Sequence, residues 1–206
     1  MNTPRLTILI PTYNESHNIR EAIACAQWAD EVLVVDSFST DGTPQIAREL
    51  GARVLEHEYV NSATQKNWAI PQAAHEWVMV LDADERITPE LRDEIRAFLA
   101  GPAARGEAGG LRIYRANHFM GRPIRYSGWQ HDSVLRVFPR DRGRYLDREV
   151  HADVVISPTP VGGGEGSQAT ESGARGSTRV LVARNRMPHY TFTSFEQYMK
   201  KFDRYT

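Results

Sequence analysis

The chain has 206 residues, of which 41% are hydrophobic, and a formal net charge of −1. A chain of this length can bury a substantial core in one large domain or in two closely joined ones. The sequence contains no apolar run long enough to cross a membrane and no apparent secretory signal, so we expect a cytoplasmic protein. Its single cysteine, Cys25, excludes an internal disulfide, and we expect a small buried side chain there.

The near-neutral total charge conceals an uneven distribution. Residues 101–150 contain ten arginines and five acidic residues, so this segment carries a local charge near +5. One interpretation is a surface for an anionic partner, such as phosphate groups or an acidic lipid surface. The other is a solvated face without a partner. We expect no nucleic-acid partner.

The first hundred residues alternate short apolar runs with helical patterns. The predicted strands are 6–10, 31–36, 53–56 and a run that ends at Leu81. The predicted helices are one after Asn18, then 44–50, 63–70 and one that begins after Thr88. Continuous apolar strands joined by helices predict an α/β fold with a mostly parallel sheet that is covered on both faces.

Local signals indicate where several of these helices begin and end. Asn18 and Glu21 have the spacing of a capping box, which predicts an N-terminal cap for the first helix. Gly51 closes the second helix. Thr88 followed by Pro89 is typical of a helix start, with a capping hydroxyl before a proline in the first turn.

The second half of the chain has a different character. Residues 101–110 are predicted to be a loop, followed by strands at 111–117, 134–138 and 152–156. Residues 157–178 are rich in Gly, Ser, Thr and Pro, so we expect a mobile loop there. Thr193 and Glu196 form a second capping box, which predicts an amphipathic helix over 194–205 that packs on the domain or rests on a membrane surface. This pattern continues to Thr206, and we interpret it as part of a longer protein.

Three polar segments follow three of the predicted strands. They are Pro11-Thr12-Tyr13-Asn14-Glu15, the segment from Asp36 to Gly42, and Asp82-Ala83-Asp84. The carboxyl ends of parallel strands meet at one edge of a sheet, where ligands bind in such folds. Paired carboxylates at that edge suit a hard divalent cation such as Mg²⁺ or Mn²⁺ held together with phosphates. The sequence lacks the glycine-rich motifs of dinucleotide-binding enzymes and P-loop ATPases.

These three motifs, in this order and spacing, resemble those of family-2 glycosyltransferases of GT-A fold. Residues 117–124, 128–129 and 132–138 are further similar to the branch that builds the lipopolysaccharide inner core, which contains glucosyltransferases. The resemblance implies a nucleotide-sugar-binding half at 1–100 and a mixed acceptor-side region at 101–206. It also implies a metal-dependent, inverting hexosyltransferase. Such an enzyme moves a sugar from a nucleotide diphosphate to a hydroxyl of an anionic glycan or glycolipid of the cell envelope, at the inner face of the membrane.

The resemblance also assigns donor-binding residues. Pro11, Tyr13 and Glu15 would hold the base and ribose, and Asp36 would accept a hydrogen bond from the base. Lys66 would meet a phosphate, or else face solvent from its helix. Asp41 would contact the donor or simply shape an Asx turn before Gly42.

The metal and the reaction are assigned in the same way. Asp84 would bind the cation, with Asp82 reaching the ribose or the metal. Asp132 would be the base that takes the proton of the acceptor hydroxyl, unless it is only a turn residue. His189 resembles a histidine that closes over the metal, although a histidine before a helix is often an ordinary hydrogen-bonding residue. Trp129 would stack on a sugar or fill the core.

Two other functions share these features. Val150-His151-Ala152 stands where family members often carry Val-His-Glu, so an acidic partner is missing. This difference leaves room for a non-catalytic protein that binds nucleotide sugars on the same fold. A sugar nucleotidyltransferase would share the sheet and the cation. It would need a glycine-rich, basic loop after the first strand, where this chain has Pro11-Thr12-Tyr13-Asn14-Glu15.

Overall fold

The computed structural model describes residues 3–126, 128–146, 153–160 and 177–192. Four α-helices occur in these ranges: α1 (Ile19–Ala26), α2 (Thr43–Glu49), α3 (Ser62–Ala69) and α4 (Pro89–Phe98). The strands are β1 (Leu6–Thr12), β2 (Glu31–Asp36), β3 (Arg53–Glu56), β4 (Trp77–Val80), β5 (Gly110–Phe119), β6 (Arg122–Pro123), β7 (Ser133–Pro139), β8 (Gly143–Tyr145), β9 (Val154–Ile156), β10 (Val180–Val182) and β11 (Met187–Phe192).

The main sheet is mostly parallel, as the sequence predicts. Its order is β10-β5-β7-β4-β1-β2-β3, with β6 and β11 also paired to β5. Strands β1 to β4 run parallel to one another, whereas β7 is antiparallel to β4 and to β5. The chain moves outward from β1 to β3 and then returns to the other side of β1 at β4. This reversal of direction is the position where open α/β sheets bind ligands.

Strand direction brings both halves of the chain to one edge. Because β7 is antiparallel, its first residue Ser133 lies at the edge where β4 ends, opposite Tyr114 of β5. Strand β11 is parallel to β5, with His189 in register with Asn117. Residues that precede β7 and residues near the ends of β5 and β11 therefore surround the segment that follows β4.

Apolar side chains cover both faces of the sheet, as predicted. One face packs against α1, α2 and α4 through residues such as Ile23, Ala47 and Ile95. The other face packs against α3 and the short β8–β9 sheet through residues such as Ala69 and Tyr145. Cys25 is partly buried against the first layer and burial raises the pKa of its thiol, in agreement with a packing role.

The predicted capping box at the first helix is wrong. The backbone of Asn18 is already helical, so its side chain is not placed to cap, and its amide group donates to the Glu15 carboxylate at 2.8 Å. The backbone amides of Asn18 and Ile19 both donate to the Glu15 carbonyl. Glu21 instead pairs with Arg86 across the sheet edge.

Two other helix signals are confirmed. The Thr88 hydroxyl accepts from the Leu91 amide and caps α4. Gly51 ends the turn after α2 with a φ of +81°, a left-handed conformation that glycine adopts without steric cost. The loop predicted from residue 101 begins later, because a π-helical turn over Leu99–Ala103, which contains Pro102, extends α4.

The strands predicted in the second half are confirmed, with shifted limits. β5 is three residues longer than predicted, β7 is two residues longer, and β9 begins at Val154. Strands β6, β8, β10 and β11 were not predicted. The helix expected at 194–205, His151 and most of the loop expected at 157–178 lie outside the described residues. Within the described part of the chain, no helix combines the length and apolar character needed to cross a bilayer.

Candidate active site

The loops after β1 and β2 are tied together by Asp36. This residue is buried, and its carboxylate accepts from the Thr12 hydroxyl at 3.0 Å and from both the amide and the hydroxyl of Ser39 at 2.7 and 2.6 Å. Ser39 in turn accepts from the Asn14 amide at 2.7 Å. Asp36 therefore holds the two loops together through these hydrogen bonds. Its hydrogen bond to the base of a nucleotide remains a prediction.

Asp41 forms a second connection between the same loops. Its carboxylate accepts from the amide and hydroxyl of Thr43 and from the Ser16 amide at 2.9 Å. Partial burial opposes the charge, but these donors lower the pKa of Asp41 to about 2. The Asx turn before Gly42, with its φ of +89°, is confirmed.

The residues predicted to bind the base and ribose lie at the end of β1 and in the loop that follows it. Tyr13 is 59% exposed and projects from the end of β1, next to the half-buried Pro11. Glu15 is held by the Thr43 hydroxyl, which accepts from its amide at 2.9 Å. Phe38, which was not predicted, is 58% exposed and has a φ of +57°. The two exposed aromatic rings follow adjacent parallel strands.

Asp82 lies between two cations. Its carboxylate is 3.1 Å from Lys66 Nζ and 2.7 Å from Arg136 Nη2. Burial opposes ionisation, but these charges hold the pKa of Asp82 well below its usual range. Burial also opposes the charge of Lys66, whereas Asp82 raises the pKa of its ammonium group. The solvent-facing alternative for Lys66 is wrong, because the residue is 8% exposed.

Arg136 extends this network to Glu85. The same guanidinium contacts the fully buried Glu85 carboxylate, which also accepts from the Asp82 amide at 3.0 Å. Burial opposes the charge of Arg136, but Asp82 and Glu85 raise its pKa well above the ordinary value. Arg115 Nη1 lies 3.8 Å from Glu85 and continues the alternation of charges. This network holds the segment after β4 in place.

Asp84 faces His189 across the site. The His189 Nε2 atom lies 3.4 Å from Asp84 Oδ2, and the two side chains are 12% and 20% exposed. Backbone pairing fixes this distance, because the Tyr190 amide donates to the Asp84 carbonyl at 2.8 Å and the Arg86 amide donates to Pro188. His189 thus lies within β11, a strand that the sequence analysis did not predict, and the helix expected after it lies outside the described residues.

Asp132 is held by two residues of β5. Arg115 donates to both carboxylate oxygens at 2.8 Å, and Asn117 Nδ2 donates to Oδ2 at 3.0 Å. Arg115 and Asn117 are two residues apart, so they project from the same face of the strand. Burial opposes ionisation, but both donors lower the pKa of Asp132. Asp132 is therefore an ionised carboxylate oriented by three hydrogen bonds.

The network includes four residues that the sequence interpretation missed, namely Glu85, Arg115, Asn117 and Arg136. Glu85 directly follows the predicted motif, and the alternate positions of Arg115 and Asn117 on one strand were a usable signal. Asn117 and Arg136 lie in segments that carry the family resemblance, but the sequence interpretation gave neither residue a role. Trp129 is 37% exposed on a short helical turn, so it does not fill the core.

Several arginines of residues 101–150 form ion pairs or hydrogen bonds within the protein. Arg115 and Arg136 pair with carboxylates of the site. Four more donate to backbone carbonyls: Arg112 to Ser133, Arg140 to Ala73, Arg142 to Ser177, and Arg144 to Arg140 and Gly143. Six of the ten arginines therefore make specific contacts within the protein.

The side chains of the site suit a divalent cation whose remaining coordination positions are filled by a bound ligand. Within the described ranges, no group of three or more His, Cys, Asp or Glu side chains is arranged to hold a metal ion. Asp84 and His189 supply one carboxylate and one imidazole, which Mn²⁺ accepts. Mg²⁺ and related ions are often held by one or two carboxylates with substrate phosphates completing the shell. Asp82 fits this role less well, since both of its oxygens face cations.

Comparison with known proteins identifies the family. Residues 7–155 match the model for glycosyl transferase family 2, which is well over half of the chain. The chain belongs to glycosyl transferase family 2. The resemblance drawn from the three strand-end motifs is confirmed.

Two relatives extend this result. The lipopolysaccharide core biosynthesis glycosyltransferase LpsC of Rhizobium meliloti is 30% identical over 156 residues, which cover 73% of this chain and 57% of LpsC. An uncharacterized glycosyltransferase of Rickettsia conorii is 40% identical over 99 residues, which cover 48% of this chain and 35% of the relative. The chain therefore matches about one third of the Rickettsia protein and somewhat more than half of LpsC.

A solved structure supports the fold. The crystal structure of TarS from S. aureus, residues 1–349, aligns with a TM-score of 0.50 and 27% identity, over 60% of this chain and 39% of the TarS chain. Together with the family match and the order of the strands, this result confirms the predicted GT-A fold.

Proposed function

We propose that this family-2 glycosyltransferase chain carries out metal-dependent, inverting transfer of a sugar from a nucleotide diphosphate donor. The observation that carries the proposal is one chain of side-chain contacts that joins two carboxylates. Asp84 lies beside His189, and Asp132 is linked to His189 through Asn117. Only two side chains therefore separate the proposed metal-binding carboxylate from the candidate base.

The donor binds at the ends of β1 and β2. Tyr13 and Phe38 offer exposed rings for a base, and the loops that carry them are already fixed by Asp36 and Asp41. Preorganised loops lose little freedom on binding. Lys66 and Arg136 hold Asp82 ionised at the inner end of this groove, where it can accept from a ribose hydroxyl.

The diphosphate lies beside Asp84 and His189. A bound divalent cation supplies Lewis-acid stabilisation of the charge that develops on the departing diphosphate. Asp84 would hold that cation through its carboxylate, and His189 would add a nitrogen ligand. Their backbone hydrogen bonds keep the two side chains in register before the donor binds.

Asp132 takes the proton from the acceptor hydroxyl. Arg115 and Asn117 together donate to Oδ2 twice and to Oδ1 once, so Oδ1 keeps a lone pair for the hydroxyl. The hydroxyl oxygen attacks the anomeric carbon as the bond to the diphosphate breaks, and its proton passes to Asp132. This single displacement inverts the anomeric carbon.

The acceptor that we propose is a lipopolysaccharide core. The support is the similarity to LpsC, whose name assigns it to lipopolysaccharide core biosynthesis. The expected location at the inner face of the cytoplasmic membrane also stays a prediction. The second candidate is a protein that binds nucleotide sugars without turnover. An assay for transfer products distinguishes the two candidates, because only the first forms them.

The test is a transfer assay with purified protein. A panel of radiolabelled UDP- and GDP-sugars is incubated with Mn²⁺ and truncated lipopolysaccharide acceptors, and glycolipid products are counted. The proposal predicts transfer from one donor that is abolished by EDTA and restored by Mn²⁺. Metal-dependent donor binding without transfer or hydrolysis would support the non-catalytic alternative instead.

A further inference from the structure

Asn117 is the most constrained polar side chain between the two sides of the site. It is 2% exposed and lies on β5, where it is in register with His189 of β11. Its Nδ2 atom lies 3.0 Å from Asp132 Oδ2 and 3.4 Å from the Trp129 carbonyl. Its Oδ1 atom lies 2.6 Å from His189 Nδ1. A single amide group therefore contacts both Asp132 and His189.

The surroundings of Asn117 determine which way its amide points. Both neighbours of Nδ2, a carboxylate and a carbonyl, are hydrogen-bond acceptors. The opposite orientation would place the amide oxygen against two acceptors, which is unfavourable even though a bare Nδ1 could accept from the amide N–H group. The oxygen therefore faces His189, and a carbonyl-type oxygen at 2.6 Å requires a proton on Nδ1.

This arrangement selects one tautomer of His189. With the proton on Nδ1, a neutral imidazole has a lone pair on Nε2, and Nε2 is the atom that faces Asp84 Oδ2 at 3.4 Å. A cation placed between this lone pair and the carboxylate oxygen would be attracted to both. The Thr191 hydroxyl lies 3.2 Å from Nδ1, where its oxygen can share the same proton.

We propose that Asn117 is a positioning residue that fixes His189 in its Nδ1–H tautomer, so that Nε2 is available as a metal ligand, and that also orients Asp132. The metal-ligand part of this inference rests on the proposed function, whereas the tautomer is a property of the free protein. Histidine ligands commonly donate their other ring N–H to a carbonyl or carboxylate, which sets the ring orientation. Asn117 serves in that way here, and its amide N–H group reaches the base as well.

The test reads the tautomer directly in metal-free, donor-free protein. Long-range proton–nitrogen NMR correlations of His189 are recorded at about pH 8, above the range in which a free imidazole titrates. The wild type is expected to show Nδ1 protonated and Nε2 bare, the reverse of the form that free imidazole favours. Asn117→Leu, which keeps the volume but removes the acceptor, should revert to the Nε2–H form. Asn67→Leu is the matched control, since Asn67 bonds to the backbone of Tyr145 elsewhere.

A second variant protects the test against loss of folding. Asn117→Asp retains an acceptor for His189 Nδ1, and its carboxyl group would share one proton with the adjacent Asp132 carboxylate, so Nδ1 should keep its proton. Mn²⁺ binding, followed by electron paramagnetic resonance, should weaken by about 10- to 100-fold in Asn117→Leu relative to wild type.

Different results identify different failures. A wild-type His189 that carries its proton on Nε2, or on both nitrogens, would overturn the inference. An unchanged tautomer in a folded Asn117→Leu protein would do the same. If the tautomer behaves as expected but the wild type transfers no sugar from any donor, the proposed function fails and the assignment of Asn117 to the tautomer stands.

Discussion

Arg136 Nη2 lies 2.7 Å from Asp82 Oδ2, and the same nitrogen contacts the buried carboxylate of Glu85. One guanidinium from β7 thus binds two carboxylates in the segment that follows β4. The side chains are 3%, 29% and 0% exposed, respectively, so the network is largely shielded from water. Charges in such surroundings stabilise a fold only while each keeps its partner.

Replacing Arg136 tests this dependence. We expect Arg136→Met to destabilise the protein by about 3–5 kcal/mol, because Glu85 is left as a buried charge without its main partner. Urea unfolding of wild type and variant at neutral pH measures the difference.

The double variant Arg136→Met with Glu85→Gln is the control, because it removes the stranded charge as well. It should recover more than about 1 kcal/mol relative to Arg136→Met alone. Strictly additive costs for the two substitutions would mean that the pair does not interact in solution.

Asp132 can be tested without disturbing the donor groove. Asp132→Asn keeps the size of the side chain and can still accept from Arg115, but it cannot take a proton. We expect kcat to fall by roughly 10²–10⁴-fold, with donor affinity within about twofold of wild type. Steady-state transfer kinetics and donor titrations provide both values.

Asp141→Asn is a suitable control, since Asp141 is an exposed carboxylate in the turn after β7. It should leave kcat unchanged. Near-normal turnover by Asp132→Asn would remove Asp132 as the base and direct attention to another proton acceptor in the site.

The Asp41 turn predicts a defined dependence of stability on pH. Its folded pKa of about 2 is below the value of about 3.9 expected for an unfolded chain. The carboxylate therefore contributes stability that is present above about pH 4 and is lost as the pH falls toward about 2. Because Asp41 is exposed, we expect Asp41→Asn to cost only roughly 1 kcal/mol at neutral pH.

Urea unfolding of wild type and Asp41→Asn at about pH 7 and about pH 3 measures this effect. The difference between the two proteins should shrink at the lower pH. A difference that is the same at both pH values would mean that the hydrogen-bond geometry matters and the charge does not.

The architecture was predictable because its signals are local and repeated. Apolar runs separated by helical patterns predicted β1 to β4, and the rule that parallel strands end at one edge placed the motifs at Tyr13, Asp36 and Asp82 together. Thr88 and Gly51 were read correctly because a side-chain cap and a positive φ depend on few neighbours. Asn18 was misread because the Glu15 carbonyl already begins the helix upstream.

The site's internal charge pairing was not predictable in the same way. Arg136 is 54 positions from Asp82 in the chain, and its contact exists only because β7 runs antiparallel to β4. His189 lies in β11, and only the pairing of that strand with β5 brings it next to Asn117. The resemblance to the family named candidate site residues, whereas the tertiary contacts show which of these side chains are paired with cations and which are held by hydrogen bonds.

The central claim is a metal-dependent donor site at Asp84, and calorimetric binding tests it most directly. A panel of nucleotide diphosphates and their sugars is titrated into wild type and Asp84→Ala, with and without Mn²⁺. The account predicts that one nucleotide binds wild type in the presence of Mn²⁺, and that binding is lost when either Mn²⁺ or the Asp84 carboxylate is removed. Equal binding by Asp84→Ala, or binding that is indifferent to Mn²⁺, would contradict it.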